Sequence, residues 1–222
     1  MSDITRISRF GFVNAYLVRE DDGLTLVDTM IPGSAKKILA AAQKLNAPIV
    51  RILLTHAHGD HIGSLDALAK ALPNAEVIIS ERDARLLAKD MTLDPDEPQD
   101  KLRGGYPGAS TKPTSTVNAG DRVGSLEVVA SPGHTPGHVS FIDTRDNTLL
   151  AGDAFATLGG VATSAKGSPW FPLPSMATWH KPTELESARA LVERQPSRLA
   201  PGHGKIVEEP IEAMNRAIAR GA

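Results

Sequence analysis

Cysteine is the first residue type that the sequence lacks. None of the 222 residues is a cysteine, so disulfides and thiolate metal ligands are excluded. Any transition-metal site must therefore use imidazole and carboxylate groups. The chain also lacks an excess of either charge, because 24 Lys and Arg face 26 Asp and Glu, a net charge of -2. No overall basic field attracts nucleic acid or an anionic membrane surface.

Long apolar runs are missing as well. No segment approaches the length of a membrane span, and residues 1–10 carry charges without the apolar region of a secretory signal. A cysteine-free chain is compatible with the cytosol. We therefore expect a soluble cytoplasmic protein, a monomer or homo-oligomer, whose partner is a small-molecule substrate. The length and the ordinary composition, 41% hydrophobic and 23% charged, predict one domain over residues 1–222.

The hydrophobic pattern alternates short strands with amphipathic helices. In the first half it predicts strands at 12–18, 24–27, 49–54 and 77–79, helices that follow Ser34 and Ser80, and a helix marked by Ile62, Leu65, Leu68 and Leu72. In the second half it predicts strands at 126–130, 139–142 and 148–151, a helix with a Thr183–Glu186 capping box, and a helix after Pro210. Two successive strand-then-helix halves indicate an α/β protein with two sheets packed face to face. Segments 91–121 and 157–182 are irregular and are expected to border the active site.

The densest group of metal-ligand residue types follows the strand at 49–54. His56, His58, Asp60 and His61 form an H-x-H-x-D-H motif between a buried strand and a helix. Because side chains alternate along an extended segment, His56 and His58 point the same way and suit one ion. Asp60 and His61 lie where the chain bends into the helix and suit a neighbouring ion. A lone histidine predicts only a loop residue, but four ligand types within six positions favour a metal site.

Three further ligand-type residues follow strand ends, and a glycine precedes each of them. They are His134, Asp153 and His203. Glycine permits the tight backbone turn that delivers a side chain at the rim of a sheet. Singly, each of these positions predicts a surface turn. Together with the central motif they predict additional metal ligands.

These segments together resemble the metallo-beta-lactamase superfamily over nearly the whole chain. The matching motifs are Leu26-Val27-Asp28-Thr29, the T-H-A-H-G-D-H run from Thr55, Gly133-His134-Thr135-Pro136-Gly137-His138, Ala151-Gly152-Asp153 and Pro201-Gly202-His203-Gly204. The resemblance implies a four-layer αββα sandwich of two mixed β-sheets flanked by helices. It is specific for the fold and the metal site and much less specific for the substrate.

The resemblance also implies how the ligands divide between two metal ions. One ion would be held by His56, His58 and His134, the other by Asp60, His61 and His203, with Asp153 bridging the pair. Asp28 would orient a ligand histidine from beneath the site. His138 matches a position that is not a ligand, and His180 is expected to be an ordinary loop histidine. Two zinc ions are expected, with iron or manganese as alternatives.

Such a centre predicts a hydrolase in which metal-bound hydroxide attacks a carbonyl group, with Asp60 relaying the proton. We expect a small ester or lactone as the substrate. The alternatives are a thioester, as in glyoxalase II, a β-lactam, and persulfide oxidation at a single iron. An aspartate at the bridging position, here Asp153, is a feature that resembles glyoxalase II and lactonases more than true β-lactamases. The stretch after Pro210 is too short for the glutathione-binding domain, and Ala156 replaces a tyrosine of quorum-quenching lactonases.

Aromatic residues in the two irregular segments are candidates for substrate contact. Trp170, Phe171 and Trp179 lie within ten positions of one another. They predict either an apolar wall over the metals or a loop fixed to the body by its own small cluster. Tyr106, between two glycine-containing turns, is a further candidate for orienting the substrate.

Overall fold

The computed structural model describes residues 3–221, so the outermost residues of the predicted domain lie outside the described part. Its strands are β1 (Ile4–Arg9), β2 (Val13–Glu20), β3 (Gly23–Val27), β4 (Ile49–Leu53), β5 (Glu76–Ser80), β6 (Ser115–Val117), β7 (Arg122–Val123), β8 (Leu126–Ala130), β9 (Val139–Asp143), β10 (Thr148–Ala156), β11 (Ala162–Thr163), β12 (Arg198–His203) and β13 (Val207–Glu208). Its helices are α1 (Ala35–Lys44), α2 (Gly59–Ile62), α3 (Leu65–Ala71), α4 (Glu81–Leu87), α5 (Leu173–Ala177), α6 (Lys181–Glu193) and α7 (Ile211–Gly221). None of the helices in residues 3–221 has the length and hydropathy that a bilayer crossing requires.

The strands form two halves joined at one narrow point. The order along the sheet is β6-β5-β4-β3-β2-β12-β10-β9-β8-β7. The pairs from β3 to β6 are parallel and the pairs from β10 to β7 are antiparallel, so the sheet is mixed. Within residues 3–221, β2 and β12 are paired at one position, between Val13 and His203. A junction this narrow lets the two halves face each other as the layers of a sandwich.

Three apolar clusters separate four layers. The inner cluster joins the two sheet halves, with Tyr16 and Leu53 from one half and Phe141 from the other. One outer cluster packs the first half against α1 and α3, and the other packs the second half against α6 and α7. This arrangement confirms the predicted αββα sandwich.

Some local predictions were wrong. The amphipathic helix predicted from Ile62 to Leu72 is interrupted near its start, because α2 ends at Ile62 and α3 begins at Leu65. Between them, Gly63 packs so closely on Pro32 that a Cβ atom would overlap it. Thr183 does not cap the next helix. That helix begins at Lys181, and the Nδ1 atom of His180 accepts the backbone N–H of Thr183 at 3.3 Å. His180 is therefore a capping residue rather than an ordinary loop histidine. Strand β1 was not predicted.

Candidate metal centre

The candidate ligands meet where β4, β10 and β12 end. His56 and His58 lie between β4 and α2, Asp60 and His61 lie in α2, and His134 lies between β8 and β9. Asp153 belongs to β10 and His203 is the last residue of β12. All are buried except Asp60, whose side chain is 39% exposed. Four segments distant in sequence thus bring all seven side chains to one edge of the sandwich.

Three of the histidines form a first cluster. The His58 Nδ1 atom lies 3.1 Å from His56 Nε2 and 3.0 Å from His134 Nε2. These nitrogens are close to the spacing of about 3.3 Å expected between ligands of a tetrahedral zinc ion with Zn–N bonds of 2.0–2.1 Å. The three rings therefore present their nitrogens to one common point.

The opposite nitrogen of each of these rings already has an oxygen partner. His56 Nδ1 lies 3.0 Å from the Thr55 hydroxyl, and His134 Nδ1 lies 3.0 Å from the Thr178 hydroxyl. His58 Nε2 lies 3.0 Å from the carbonyl oxygen of Arg103. An outward N–H group that donates to oxygen leaves the inward nitrogen as a lone pair. Three converging lone pairs repel one another unless a cation lies between them.

The second cluster contains both carboxylates. The Oδ2 atom of Asp60 lies 3.2 Å from His203 Nε2 and 4.0 Å from His61 Nε2. Asp153 faces both clusters, because its Oδ2 atom lies 3.3 Å from His134 Nε2 and 3.2 Å from His203 Nε2, while Oδ1 lies 3.2 Å from His61 Nε2. His61 Nε2 and Asp153 Oδ1 have no hydrogen-bond partner in residues 3–221. Asp153 is thus positioned as a bridge.

Asp28 lies directly behind His61. Its Oδ2 atom accepts the Nδ1–H group of His61 at 2.7 Å, and its Oδ1 atom accepts the backbone N–H of Thr55 at 2.9 Å. The Thr55 hydroxyl donates to Oδ2 at 2.9 Å. Asp28 has a φ of 61°, a conformation that aspartate and asparagine tolerate better than most residues. This contact fits the orienting role that the family resemblance implies for Asp28, and the candidate ligand that it contacts is His61.

Two residues outside the predicted ligand set, Asp83 and His138, support the ligand loops, and the sequence did not single out Asp83. Buried Asp83 accepts the backbone N–H of Ala57 at 2.9 Å, the Thr135 hydroxyl at 2.8 Å and the backbone N–H of Gly137 at 2.8 Å. It therefore ties the loop after β4 to the loop that holds His134. His138 stands outside the ligand set, and its Nε2 atom accepts the backbone N–H of Asp153 at 3.0 Å.

Comparison with known proteins identifies the family. The profile of the Metallo-beta-lactamase superfamily matches residues 8–203. The chain belongs to this superfamily. A protein of Bacillus subtilis described as uncharacterized protein YobT is 50% identical to it, over 94% of this chain and 90% of the relative. A hydroxyacylglutathione hydrolase of Gloeothece citriformis is 29% identical, over 70% of this chain and 55% of that enzyme. The chain thus spans about half the length of that enzyme.

A solved structure of similar shape carries two metals. The structure of TTHA1623 in a di-iron-bound form has a TM-score of 0.67 and 27% identity, over 95% of this chain and 96% of that one. In the present protein, three overlapping groups of side chains could each hold an ion. They are His56, His58 and His134; His56, His61 and Asp153; and Asp60, His61 and His203. These groups fit a dinuclear metal site, and the converging lone pairs of the first cluster require positive charge. The neighbouring structure leaves iron as well as zinc open.

The electrostatics of the two clusters differ. Burial lowers the pKa of His56 and of His134, so these rings stay neutral and ready to bind a cation. Burial also opposes protonation of His203, but Asp153 and Asp60 outweigh it and raise its pKa to about 10. Burial opposes protonation of His61 in the same way, and the nearby carboxylates, Asp153 before the others, outweigh it and raise the pKa of His61. A metal at the second cluster must therefore displace ring protons, and its binding releases them.

A cavity of about 110 Å³ opens onto the two ligand clusters. Phe171 lines it, but Trp170 does not and is 84% exposed. Trp179 is only 4% exposed and donates its indole N–H to the carbonyl oxygen of Asp100 at 2.9 Å, so it fixes one irregular segment to the other. The ring of Tyr106 packs on His58 with centroids 4.6 Å apart, and its buried hydroxyl has no partner in residues 3–221. Of the four predicted substrate residues, only Phe171 reaches the cavity.

Proposed function

We propose that this protein is a dinuclear metal-dependent hydrolase that cleaves a small ester or lactone. The observation that carries the proposal is that the two ligand clusters share Asp153, whose carboxylate faces both. A shared carboxylate supports two ions over the single ion of a mononuclear iron oxygenase. Zinc is proposed first because the ligand set is imidazole and carboxylate in a chain without cysteine.

The roles of the side chains follow from their positions. His56, His58 and His134 would hold one ion, and Asp60, His61 and His203 the other, with Asp153 shared between them. Ions held by these residues would supply two effects, a lower pKa for a coordinated water and polarisation of the carbonyl group of a substrate. Apart from these ions, the reaction requires a base at the attacking water and a cavity that holds the acyl group.

Asp60 is placed to be that base. It combines partial exposure with a position on the cavity wall, whereas the carboxylate of Asp153 is buried between the clusters. Burial alone would raise the pKa of Asp60, but the charges of His61 and the hydrogen bond from His203 outweigh it and hold the pKa below its usual range. The carboxylate is therefore ionised at neutral pH, but its low pKa makes it a weak base. The proposed relay thus requires that the attacking water be acidified by the metal ions that the clusters would hold.

Thioester hydrolysis is the second candidate function. It is supported by the similarity to a hydroxyacylglutathione hydrolase, an enzyme that this chain matches over 55% of its length. Ester and thioester cleavage share the attack on a carbonyl carbon, so the same residues would serve both. The two candidates differ in which leaving group the site accepts.

The proposal is tested on protein stripped of metal and reloaded separately with zinc, iron or manganese. Metal per chain is measured by mass spectrometry, and each form is assayed on a panel of esters, lactones, thioesters and β-lactams. We expect two zinc ions per chain and ester or lactone turnover. Oxygen consumption at one iron per chain would refute the proposal.

A variant pair separates the proton-accepting role from general damage. Asp60→Asn should lower kcat by about 10²–10⁴-fold, the usual contribution of a positioned base. Asp96→Asn, a change at an exposed aspartate in segment 91–121, should leave kcat unchanged. Full activity and full metal content in Asp60→Asn would rule out the assigned role.

A further inference from the structure

We infer that the cavity over the metal clusters selects uncharged substrates with a compact apolar acyl group, and that Leu173 and Ala177 set this preference. The inference rests on the proposed function and specifies its substrate class. It comes from what lines the cavity and from what does not.

One wall of the cavity is formed entirely by apolar side chains. The residues are Phe12, Phe171, Leu173, Pro174 and Ala177. The rings of Phe12 and Phe171 meet edge to face with centroids 5.6 Å apart, and Phe171 also packs on the His203 ring at 5.2 Å. Contact with a ligand histidine places this wall directly beside the second metal position. An acyl group whose carbonyl reaches the metals would therefore lie against it.

Apart from the ligand histidines and the metal ions that they would hold, no described residue that lines the cavity offers a positive charge to the acyl group of a substrate. Asp60 and Asp153 are the only Asp, Glu, Lys or Arg residues among those described that line it. When the carbonyl of the substrate reaches the metals, a carboxylate at the far end of its acyl group would lie against the apolar wall and lose water without gaining a basic side chain as partner, which is costly. Two basic side chains that are close in sequence to lining residues, Arg103 and Lys181, line a separate groove of about 480 Å³ instead. The lining therefore disfavours an anionic acyl group.

The size of the cavity limits the acyl group as well. Its volume of about 110 Å³ is small beside the ~300–1,000 Å³ of pockets that hold drug-sized ligands. Opposite the apolar wall, Gly104 and Gly105 close the space, and a Cβ atom on Gly104 would overlap the His58 ring. This side of the cavity is thus already at its closest approach to the ligands. Only the side formed by α5 leaves room for variation.

Helix α5 provides the adjustable side. Leu173 and Ala177 are four residues apart, so they share one face of the helix, and both line the cavity. Leu173 is 57% exposed and stands at the mouth. A larger side chain at 177 would shorten the space for an acyl chain, and a charged one at 173 would add the cation that the lining lacks. Met176, on the same helix, is 66% exposed and does not line the cavity.

The charge preference is tested with a matched pair of esters. The zinc-loaded protein is assayed on 4-nitrophenyl butyrate and on the mono-4-nitrophenyl ester of succinic acid, which differ mainly by one carboxylate. We expect kcat/KM to be at least about tenfold higher for the butyrate, a difference typical of an unpaired group in a pocket. Leu173→Lys should reduce or reverse this ratio, whereas Met176→Lys should not change it.

The size preference is tested with a series of 4-nitrophenyl esters from acetate to octanoate. Ala177→Leu should lower kcat/KM for butyrate and longer esters by about tenfold or more, with little change for acetate. Met176→Leu is the matched control. Equal losses across the series would show that the substitution damages the site as a whole and would refute a size-setting role.

A binding measurement makes the inference testable without turnover. Calorimetric titration of the zinc-loaded protein with 1-propanethiol and with 3-mercaptopropionate compares a neutral and an anionic metal-seeking probe. We expect tighter binding of the neutral thiol. Absence of all ester and lactone turnover would overturn the proposed function, while the thiols would still decide the charge preference. Preference for the anionic ester and thiol, lost in Arg103→Ala or Lys181→Ala, would overturn the inference and assign the acyl group to the neighbouring groove.

Discussion

Replacing Asp28 by asparagine should weaken one metal position and spare the other. Asp28 accepts the Nδ1–H group of His61 directly, at 2.7 Å, but reaches His56 only through the Thr55 hydroxyl, which lies 2.9 Å from Asp28 Oδ2 and 3.0 Å from His56 Nδ1. The oxygen of an asparagine at position 28 can still accept from that hydroxyl, and His134 depends on Thr178 instead. Asparagine is nearly isosteric and tolerates the φ of 61° at this position, so the backbone should not change. The substitution removes the negative charge that orients His61.

The expected loss follows from the kind of contact that is removed. Residues that hold a metal-ligating histidine in place usually contribute 10–100-fold to metal affinity, about 1.4–2.7 kcal/mol. We expect Asp28→Asn to shift only the weaker phase of a chelator-competition titration by this factor. Metal analysis after mild dialysis should then give about one ion per chain, since the cluster of His56, His58 and His134 is intact.

A surface aspartate provides the control for this experiment. Asp22 pairs with Arg51 away from the clusters, and Asp22→Asn should retain both phases. Equal weakening of both metal positions in Asp28→Asn would show that Asp28 supports the fold of the whole edge. Unchanged titration phases would show that its contact with His61 does not influence metal binding.

Three further predictions concern stability and the ligand loops. Removing the metals with a chelator should lower Tm by about 5–10 °C, because a ligand present at a hundredfold excess over its Kd stabilises the folded state by ~2.7 kcal/mol. Differential scanning calorimetry with and without zinc measures this change. An unchanged Tm would contradict the prediction. Gly104→Ala should lose metal from the first cluster, because Gly104 has a φ of 84° and a Cβ atom there would overlap the His58 ring. Gly105→Ala should retain the metal, because the space around its Cβ atom is open. Metal analysis of both variants tests this prediction. Burial raises the pKa of Asp83 from 3.8 to about 6, so the folded state binds this proton more tightly than the unfolded chain. The stability that this proton contributes is complete below pH 3.8 and is lost as the pH rises towards 6, ~3 kcal/mol in all. Urea unfolding of the metal-free protein from pH 4 to 8 should show this decrease, and Asp83→Asn should flatten it.

The ligands could be predicted because local sequence determines where they lie. His56, His58, Asp60 and His61 follow a buried strand directly, and His134, Asp153 and His203 each follow a glycine. Asp153 differs from the prediction in one respect, because it lies within β10, where the pairing with β12 is irregular, and not beyond the end of the strand. Sheet edges bring such positions together, so their convergence follows from the fold. The αββα architecture follows from the same alternation of apolar strands and amphipathic helices.

The supporting and substrate-facing residues could not be predicted because tertiary packing alone places them. Asp83 lies in the first turn of α4, where an acidic residue is common for helix stability, and nothing local indicates its contacts with Ala57 and Gly137. Trp170 and Phe171 are adjacent in an irregular segment without periodicity, so sequence could not tell which one faces the cavity. Phe12 follows β1, a strand that only its pairing with β2 defines.

The start of α6 could not be predicted from the sequence for the same reason, because tertiary contacts determine it. Thr183 followed by Glu186 has the spacing of a capping box, but the helix begins two residues earlier with Pro182 in its first turn. The imidazole of His180 then takes the capping position, which histidine seldom occupies. The contact of this turn with the His134 loop, where the backbone N–H of His180 donates to the carbonyl oxygen of Gly133 at 2.9 Å, sets the start of the helix.

Anomalous diffraction from crystals of the zinc-loaded protein tests the dinuclear site most directly. Data collected on both sides of the zinc absorption edge should give two peaks in each molecule, one among His56, His58 and His134 and one among Asp60, His61 and His203, with Asp153 between them. A map without zinc at this edge of the sandwich, or with a single ion that leaves either cluster unoccupied at saturating zinc, would contradict a dinuclear site.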